Sequence, residues 1–386
     1  MQASAQVQRI TELYERDQRS GAKATLPTDI PVSYEAMTPE WLTHVMCRNQ
    51  PGAKVVGFSL SEIDNGSSNR RRVFLQYNAA GQAAGLPPSV FCKASHVLIN
   101  RISLGLSGAA RGEAMFYNNV RPLLDIDAPR AYLATYDPES FNSIVMLDDL
   151  AGQVEFGAQD TVVTRERAES MVRLMASYHS SMFEHPELVS GELGLPTWQQ
   201  EWATTVRLLH MDAAAERGVR AAESVIPARL FSRAAEIYPA MQRSVAKHDQ
   251  LPSTLLHSDT HLKNWYVRGQ HGMGLMDWQL ACVGNWSRDV AYAIAVALQT
   301  PQRREWERDL LQLYLEECRS RAVAVPSLNE AWDLYRQQLF TALAWWTITL
   351  CPTEVLPADM QPSQTAMEFI GRIARAIDDL DALAVR

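Results

Sequence analysis

Lysine is scarce in this chain. Of its 386 residues 36 are basic, yet only Lys23, Lys54, Lys93, Lys247 and Lys263 are lysines; the other 31 are arginines. Codon bias accounts for the scarcity, but it makes the place of each remaining lysine informative. Cysteine is scarce as well. Cys47, Cys92, Cys282, Cys318 and Cys351 form an odd, widely spaced set without a C-x-x-C pair. That pattern argues against a disulfide frame or a zinc site and for reduced thiols. An excess of positive charge is also missing: 36 basic against 44 acidic residues leave a net charge of −8. Broad nucleic-acid binding is thereby excluded, because it needs many phosphate-neutralising cations. Long apolar runs are missing too. Val290–Leu298 and Leu339–Leu350 are the longest uncharged ones, short of the ~20 residues of a membrane span. Residues 1–20 contain Glu12, Glu15 and Asp17 and no apolar signal-peptide core. We therefore expect a cytoplasmic protein with no membrane partner; its oligomeric state is unknown from sequence.

What is present is an ordinary globular composition, 47% hydrophobic and 21% charged, long enough for two or three domains. A helix is expected over 2–20, then a polar linker to about residue 32. Thr38-Pro39-Glu40 reads as a helix start, with Thr as N-cap and Pro at the first helical position. Strand-like stretches follow at Val55–Ile63, Arg72–Tyr77 and Val90–Ala94, then a helix at Gly112–Leu124 and strands near Arg130–Tyr136 and Ser143–Leu147. Beyond Asp148 the periodicity is helical: Arg165–Glu184, Trp198–Arg217, Pro227–Lys247, Arg303–Arg321, Leu328–Leu350 and Ser363–Ala384. The fold class is α+β, divided into 1–32, a β-rich lobe over 33–147 and a helical lobe over 148–386.

One non-helical island, Leu255 to about Trp286, interrupts the helices. Trp265–Val267 and Met273–Met276 are apolar runs joined by Arg268-Gly269-Gln270-His271-Gly272, a hairpin signal. Closing that hairpin brings Asn264 beside Asp277. An amide oxygen and a carboxylate together form a hard-oxygen site suited to Mg²⁺ and phosphate oxygens. Asp259, five residues before Asn264, lies on the loop feeding the hairpin, placed to accept or orient a hydroxyl proton.

His257, Asp259, His261, Asn264, Asp277 and Trp278 fit the pattern H-G-D-x-H-x-x-N…D-W, with Ser258 in place of the glycine. The chain resembles the aminoglycoside phosphotransferase and choline-kinase-like superfamily, especially its bacterial and ecdysteroid-kinase-like branch. The resemblance implies a bilobal protein-kinase-like fold and phosphorylation of a small-molecule hydroxyl with ATP and Mg²⁺. It makes Asp259 the catalytic base, gives the metals to Asn264 and Asp277, and makes His257 a brace of the loop, with His261 supporting. Lys93, in Val90-Phe91-Cys92-Lys93-Ala94, falls where the family places the lysine of the α/β-phosphates. Glu113, at the start of the next expected helix, is its pairing glutamate. Gly66, Ser67 and Ser68 in the DNGSSN turn take the place of the phosphate-covering loop. Met146 and Asp148 fall at the hinge that offers backbone to adenine. Asp289, in Asp289-Val290-Ala291-Tyr292, ties down the catalytic loop.

Two further readings stand beside this one: a catalytically silent kinase-fold ligand binder, and a metallohydrolase using the H-x-D-x-H cluster His257, Asp259 and His261. Arg70-Arg71-Arg72 is a solvated strand start or a phosphate contact. Lys263 reaches a phosphate or solvent. Trp198, Trp202, Trp286, Trp345 and Trp346 are core residues or the wall of an acceptor pocket for an apolar or ring-bearing alcohol.

Overall fold

The computed structural model describes residues 2–356 and 361–385. The chain divides into two compact units: Met1–Arg121 with Pro129–Ala151 and Glu354–Met360, and Pro122–Ala128 with Gly152–Thr353 and Gln361–Arg386.

The first unit begins with helices α1 (Gln2–Ser20) and α2 (Pro39–Met46). The side chain of Thr38 accepts from Trp41 N at the start of α2, with Pro39 behind it, as its sequence signals. The strands are β1 (Val55–Leu60), β2 (Asp64–Asn65), β3 (Asn69–Tyr77), β4 (Ser89–Ala94), β5 (Ala131–Tyr136) and β6 (Ser143–Asp148). They form one antiparallel sheet in the order β1-β3-β4-β6-β5, with β2 folded back on β3. Alternation along β3 sends Val73, Leu75 and Tyr77 to the core, where they meet Trp41 and Leu42 of α2, Val90 and Ile144. Truncating a fully buried tryptophan such as Trp41 to alanine costs about 3–5 kcal/mol.

Between β3 and β4 lies the short helix α3 (Ala79–Ala83). The helix expected over Gly112–Leu124 is different in kind. Helix α4 (Leu98–Ser107) precedes it and meets α5 (Ala109–Met115) at Gly108, whose φ of 79° breaks the axis. After Met115 the chain widens to a π turn over Phe116–Val120 and tightens to a 3₁₀ turn over Arg121–Leu123, where Pro122 ends the ladder. Glu113 therefore sits inside a helix rather than at its start.

The second unit contains β7 (Glu155–Phe156), α6 (Arg165–Ser181), α7 (Pro186–Val189), α8 (Trp198–Leu209), α9 (Met211–Ala221), α10 (Ala228–Phe231) and α11 (Ala234–Ala246). Next come β8 (Thr254–Leu256), β9 (Trp265–Arg268), β10 (Gly272–Leu275), β11 (Cys282–Gly284), α12 (Ser287–Ala297), α13 (Thr300–Ser320), α14 (Leu328–Leu350) and α15 (Ser363–Asp379). Capping boxes start α8 (Thr197 with Gln200) and α14 (Ser327 with Glu330). Trp198–Arg217 is not one helix: His210, at φ 48°, separates α8 from α9. Pro227–Lys247 is likewise two, separated at Ser232 and Arg233. Helix α12 is buried along its whole length and runs directly behind the loop that follows β8. Among the described residues no helix is long and apolar enough to cross a membrane.

Candidate active site

The loop from His257 to Asn264 connects β8 to the hairpin β9–β10. Its conformation is imposed by Asp289, a fully buried carboxylate in the first turn of α12. Asp289 accepts the N–H of His257 at 2.7 Å and that of Ser258 at 2.9 Å, and the Tyr178 hydroxyl at 2.7 Å. His179 Nε2 lies 3.4 Å from it, and Tyr314 Oη lies 3.0 Å from His179 Nδ1. Burial opposes the charge on Asp289, but His179, His257 and Tyr178 outweigh it and hold the carboxyl below its ordinary range. Ser258, in the position the related pattern gives to glycine, has a φ of 65°, a left-handed conformation that costs a non-glycine residue about 1–2 kcal/mol.

Both ring nitrogens of His257 are engaged by backbone. Nε2–H donates to Met276 O at 2.9 Å, and Nδ1 accepts the N–H of Asp259 at 3.2 Å. These bonds fix a neutral imidazole, and burial lowers its pKa further. No lone pair remains for zinc. Among the described residues no group of three or more His, Cys, Asp or Glu is placed to hold a metal ion, and the His257 ring serves the backbone of its loop.

Asp259 carries two further contacts. His261 Nε2 lies 3.4 Å from Oδ2, and the Tyr292 hydroxyl donates to Oδ1 at 3.2 Å. Burial alone would raise its pKa; His261, His257 and Tyr292 outweigh burial and lower it. Asn264 Nδ2 donates to Asp259 O at 2.8 Å and approaches Oδ2 at 3.3 Å. Its NH₂ is thus committed to Asp259, which leaves the amide oxygen as the group able to take a cation.

The hairpin register pairs Leu275 with Trp265, and Met276 N donates to Asn264 O at 2.9 Å. Asp277 follows at once, with a φ of 66° that few non-glycine residues adopt. Gly274 lets the Tyr266 ring lie flat on β10, since a Cβ there would overlap the ring. Asn264 and Asp277 are therefore brought to the same end of one hairpin, as the spacing predicts.

At three places where the residues alone left two readings open, the side chains find partners within the protein. Lys263 Nζ donates to Gln361 Oε1. Arg70, Arg71 and Arg72 pair with Asp64, Glu35 and Asp149 at 3.1, 2.6 and 2.7 Å. Of the five tryptophans, Trp198, Trp202, Trp286 and Trp346 are buried. Trp198 and Trp345 enclose the fully buried Arg288, whose guanidinium lies 4.6 and 5.9 Å from their rings and 5.0 Å from Tyr292. Arg288 donates through Nη2 to Ser258 O at 3.0 Å. Its place under the 257–264 loop had no signal beyond adjacency to Asp289.

In the first unit, Lys93 on β4 and Glu113 on α5 are both buried and meet at 2.6 Å. The 64–69 turn is a hairpin: Asn65 pairs with Asn69 across a tip of Gly66, Ser67 and Ser68. Met146 is an interior residue of β6, paired with both β4 and β5. The Asp148 N–H donates to Arg130 O at 3.0 Å, and its carboxylate accepts from Arg130 N and the Tyr132 hydroxyl. The backbone expected to meet adenine is thus engaged in the sheet at these two positions.

A five-stranded antiparallel path preceding a helical unit, with an H-x-D-x-x-x-x-N loop and an aspartate closing the next hairpin, defines a kinase-like phosphotransferase. The chain belongs to the phosphotransferase enzyme family, which residues 59–324 match. It is a phosphotransferase. No curated protein sequence matches it. Among solved structures it is similar to a candidate aminoglycoside phosphotransferase from Ralstonia eutropha, with 14% identity, a TM-score of 0.50, and 89% of this chain and 97% of that one covered. It is also similar to macrolide 2'-phosphotransferase from Brachybacterium faecium (13% identity, TM-score 0.47, 80% and 90% covered). A Plasmodium vivax ethanolamine kinase aligns at 11% identity and TM-score 0.44, over 83% and 81% of the two chains.

Proposed function

We propose that the protein transfers the γ-phosphoryl group of ATP to the hydroxyl of a small, apolar or ring-bearing alcohol, with Mg²⁺ as cofactor. The observation that carries this reading is the setting of Asp259: a carboxylate with 17% of its side chain exposed, oriented by His261, Tyr292 and Asn264, with its pKa lowered chiefly by His261. Such a group can accept a hydrogen bond from an acceptor hydroxyl and take its proton as the oxygen attacks in line.

The donor set fits the metal. The Asn264 amide oxygen and the Asp277 carboxylate are hard oxygen ligands of the kind Mg²⁺ takes alongside phosphates. Bound there, Mg²⁺ supplies charge neutralisation to the transferring phosphoryl group. Lys93 holds the α/β-phosphates and Glu113 keeps its ammonium aimed; Ser67 and Ser68 offer backbone N–H groups to phosphate oxygens. His257 and Asp289 hold the loop in shape. Positioning and electrostatics carry such a transfer, so no exotic side chain is required.

The acceptor class rests on the surroundings of Asp259. Its partner His261 is 5.3 Å edge-on from Trp346 and 6.2 Å from Phe369, and Tyr292 donates to the Asp259 carboxylate; these rings are buried and back the site rather than line it. An apolar backing of this kind favours an apolar or cyclic alcohol over a polycation, which would call for clustered carboxylates. The test is ATP consumption against a panel of sterols, sugars, amino alcohols and antibiotics, with Asp259→Ala as control. A phosphorylated product formed by the wild type and not by the variant is expected; equal turnover by both would remove the reading.

A further inference from the structure

Asn100, in the first turn of α4, is buried and holds the tip of the β2–β3 hairpin. Its Nδ2 donates to Gly66 O at 2.7 Å and to Ser67 O at 3.0 Å. Both partners are carbonyl oxygens, so only the NH₂ end of the amide can face them. A peptide unit is planar and trans, so the C=O of one residue and the N–H of the next point in opposite directions. With the carbonyls of Gly66 and Ser67 drawn onto Asn100, the N–H groups of Ser67 and Ser68 are turned away from it, on one side of the tip. Successive N–H groups arranged this way make a concavity that receives anions. The Gly66 N–H, by contrast, closes the tip onto Ser68 O at 3.1 Å. A side chain at 66 would crowd Arg70, since a Cβ there lies 2.7 Å from its Nη2.

We propose that Asn100 is the positioning residue of the phosphate loop. It sets the two peptide planes so that the Ser67 and Ser68 N–H groups meet the phosphates of the nucleotide, without touching the nucleotide itself. The inference rests on the kinase reading above and adds a residue outside its sequence motifs. Aspartate is the informative replacement. It keeps the size of Asn100 but presents only acceptors to two carbonyl oxygens, so the planes must turn.

The experiment is calorimetric titration of the full chain with MgATP and, separately, with adenosine, which lacks phosphates. Asn100→Asp is expected to weaken MgATP at least tenfold and adenosine less than twofold. Asn100→Ala, which loses the bonds without adding repulsion, should show the same selectivity at about threefold, and serves if the aspartate variant does not fold. Equal weakening of both ligands would mean a merely structural role and overturn the inference, as would MgATP affinity unchanged in both variants. Absence of MgATP binding by the wild type would overturn the kinase reading and this inference together.

Discussion

The carboxylate of Asp289 takes the backbone N–H of His257 on one oxygen and that of Ser258 on the other, at 2.7 and 2.9 Å. Those two residues immediately precede Asp259, so a helix-borne acid sets the backbone from which the proposed base projects. Asp289→Asn puts an NH₂ where one of these N–H groups needs an acceptor. Losing a buried, hydrogen-bonded charge should cost about 3–5 kcal/mol in urea unfolding. The pH dependence has a definite sign. The carboxyl is depressed in the folded state, so its stabilisation is present above the ordinary carboxylate pKa and lost as pH falls through the depressed one. The asparagine variant should lose that acid-side slope, and a variant with an unchanged slope would refute this role for Asp289.

Asp259→Asn keeps the shape of the side chain and removes its basicity. We expect kcat to fall by about 10²–10⁴-fold, with MgATP affinity within twofold of wild type by titration. Because the Asp259 carboxyl is held below its ordinary range, the wild-type rate should stay level from neutrality down to about pH 4, provided the protein remains folded. An acid limb near pH 6 to 7 would point to a different base.

Legibility in the sequence followed the distance over which each interaction acts. The hairpin turn and the short loop from Asp259 to Asn264 leave few ways to place those residues and Asp277, so their spacing sufficed. Lys93 was readable from its place in an apolar strand. Asn100 was not: its bonds to the loop tip span 34 residues, and α4 begins after Val97, which provides no side-chain cap to announce it. The same holds for His179, which reaches Asp289 across 110 residues. The breaks at His210 and Arg233 escaped because the apolar period continues through them, and neither residue is a glycine or proline. Met146 falls in a strand expected over Ser143–Leu147, while Asp148, expected at the junction just beyond it, is the last residue of β6. That the strand has neighbours on both sides is a property of sheet order, which local pattern does not contain.

The Lys93–Glu113 pair gives a prediction that separates stability from binding. Both groups are buried, and removing the carboxylate leaves the ammonium without its 2.6 Å ion-pair partner. Glu113→Leu should therefore destabilise the fold by about 3–5 kcal/mol. The double variant Lys93→Met with Glu113→Leu replaces the pair by apolar groups of similar size and should recover most of that loss. It should not recover MgATP binding. Thermal unfolding with and without MgATP distinguishes the cases: the double variant unfolds near the wild-type temperature and shows no ligand-induced rise. A full rise would exclude Lys93 as a phosphate contact.

Glu201, on α8 in the second unit, offers a test independent of catalysis. Its side chain is 8% exposed, and burial pushes its pKa up to about 7. Below the ordinary glutamate pKa the group is neutral in both folded and unfolded chains and has no effect on the pH slope. Between that value and about 7 the folded chain binds the proton more tightly, so stability falls as pH rises. Above about 7 the fold must bury a charge, and the accumulated penalty is about 3 kcal/mol at 1.36 kcal/mol per pKa unit. Glu201→Gln never ionises. Relative to wild type it should be close to neutral at pH 4 and more stable by about 3 kcal/mol at pH 8. Urea unfolding at the two pH values measures this directly. A difference between variant and wild type that does not grow with pH would show that Glu201 titrates normally, and that its burial is relieved in solution by water reaching the carboxyl.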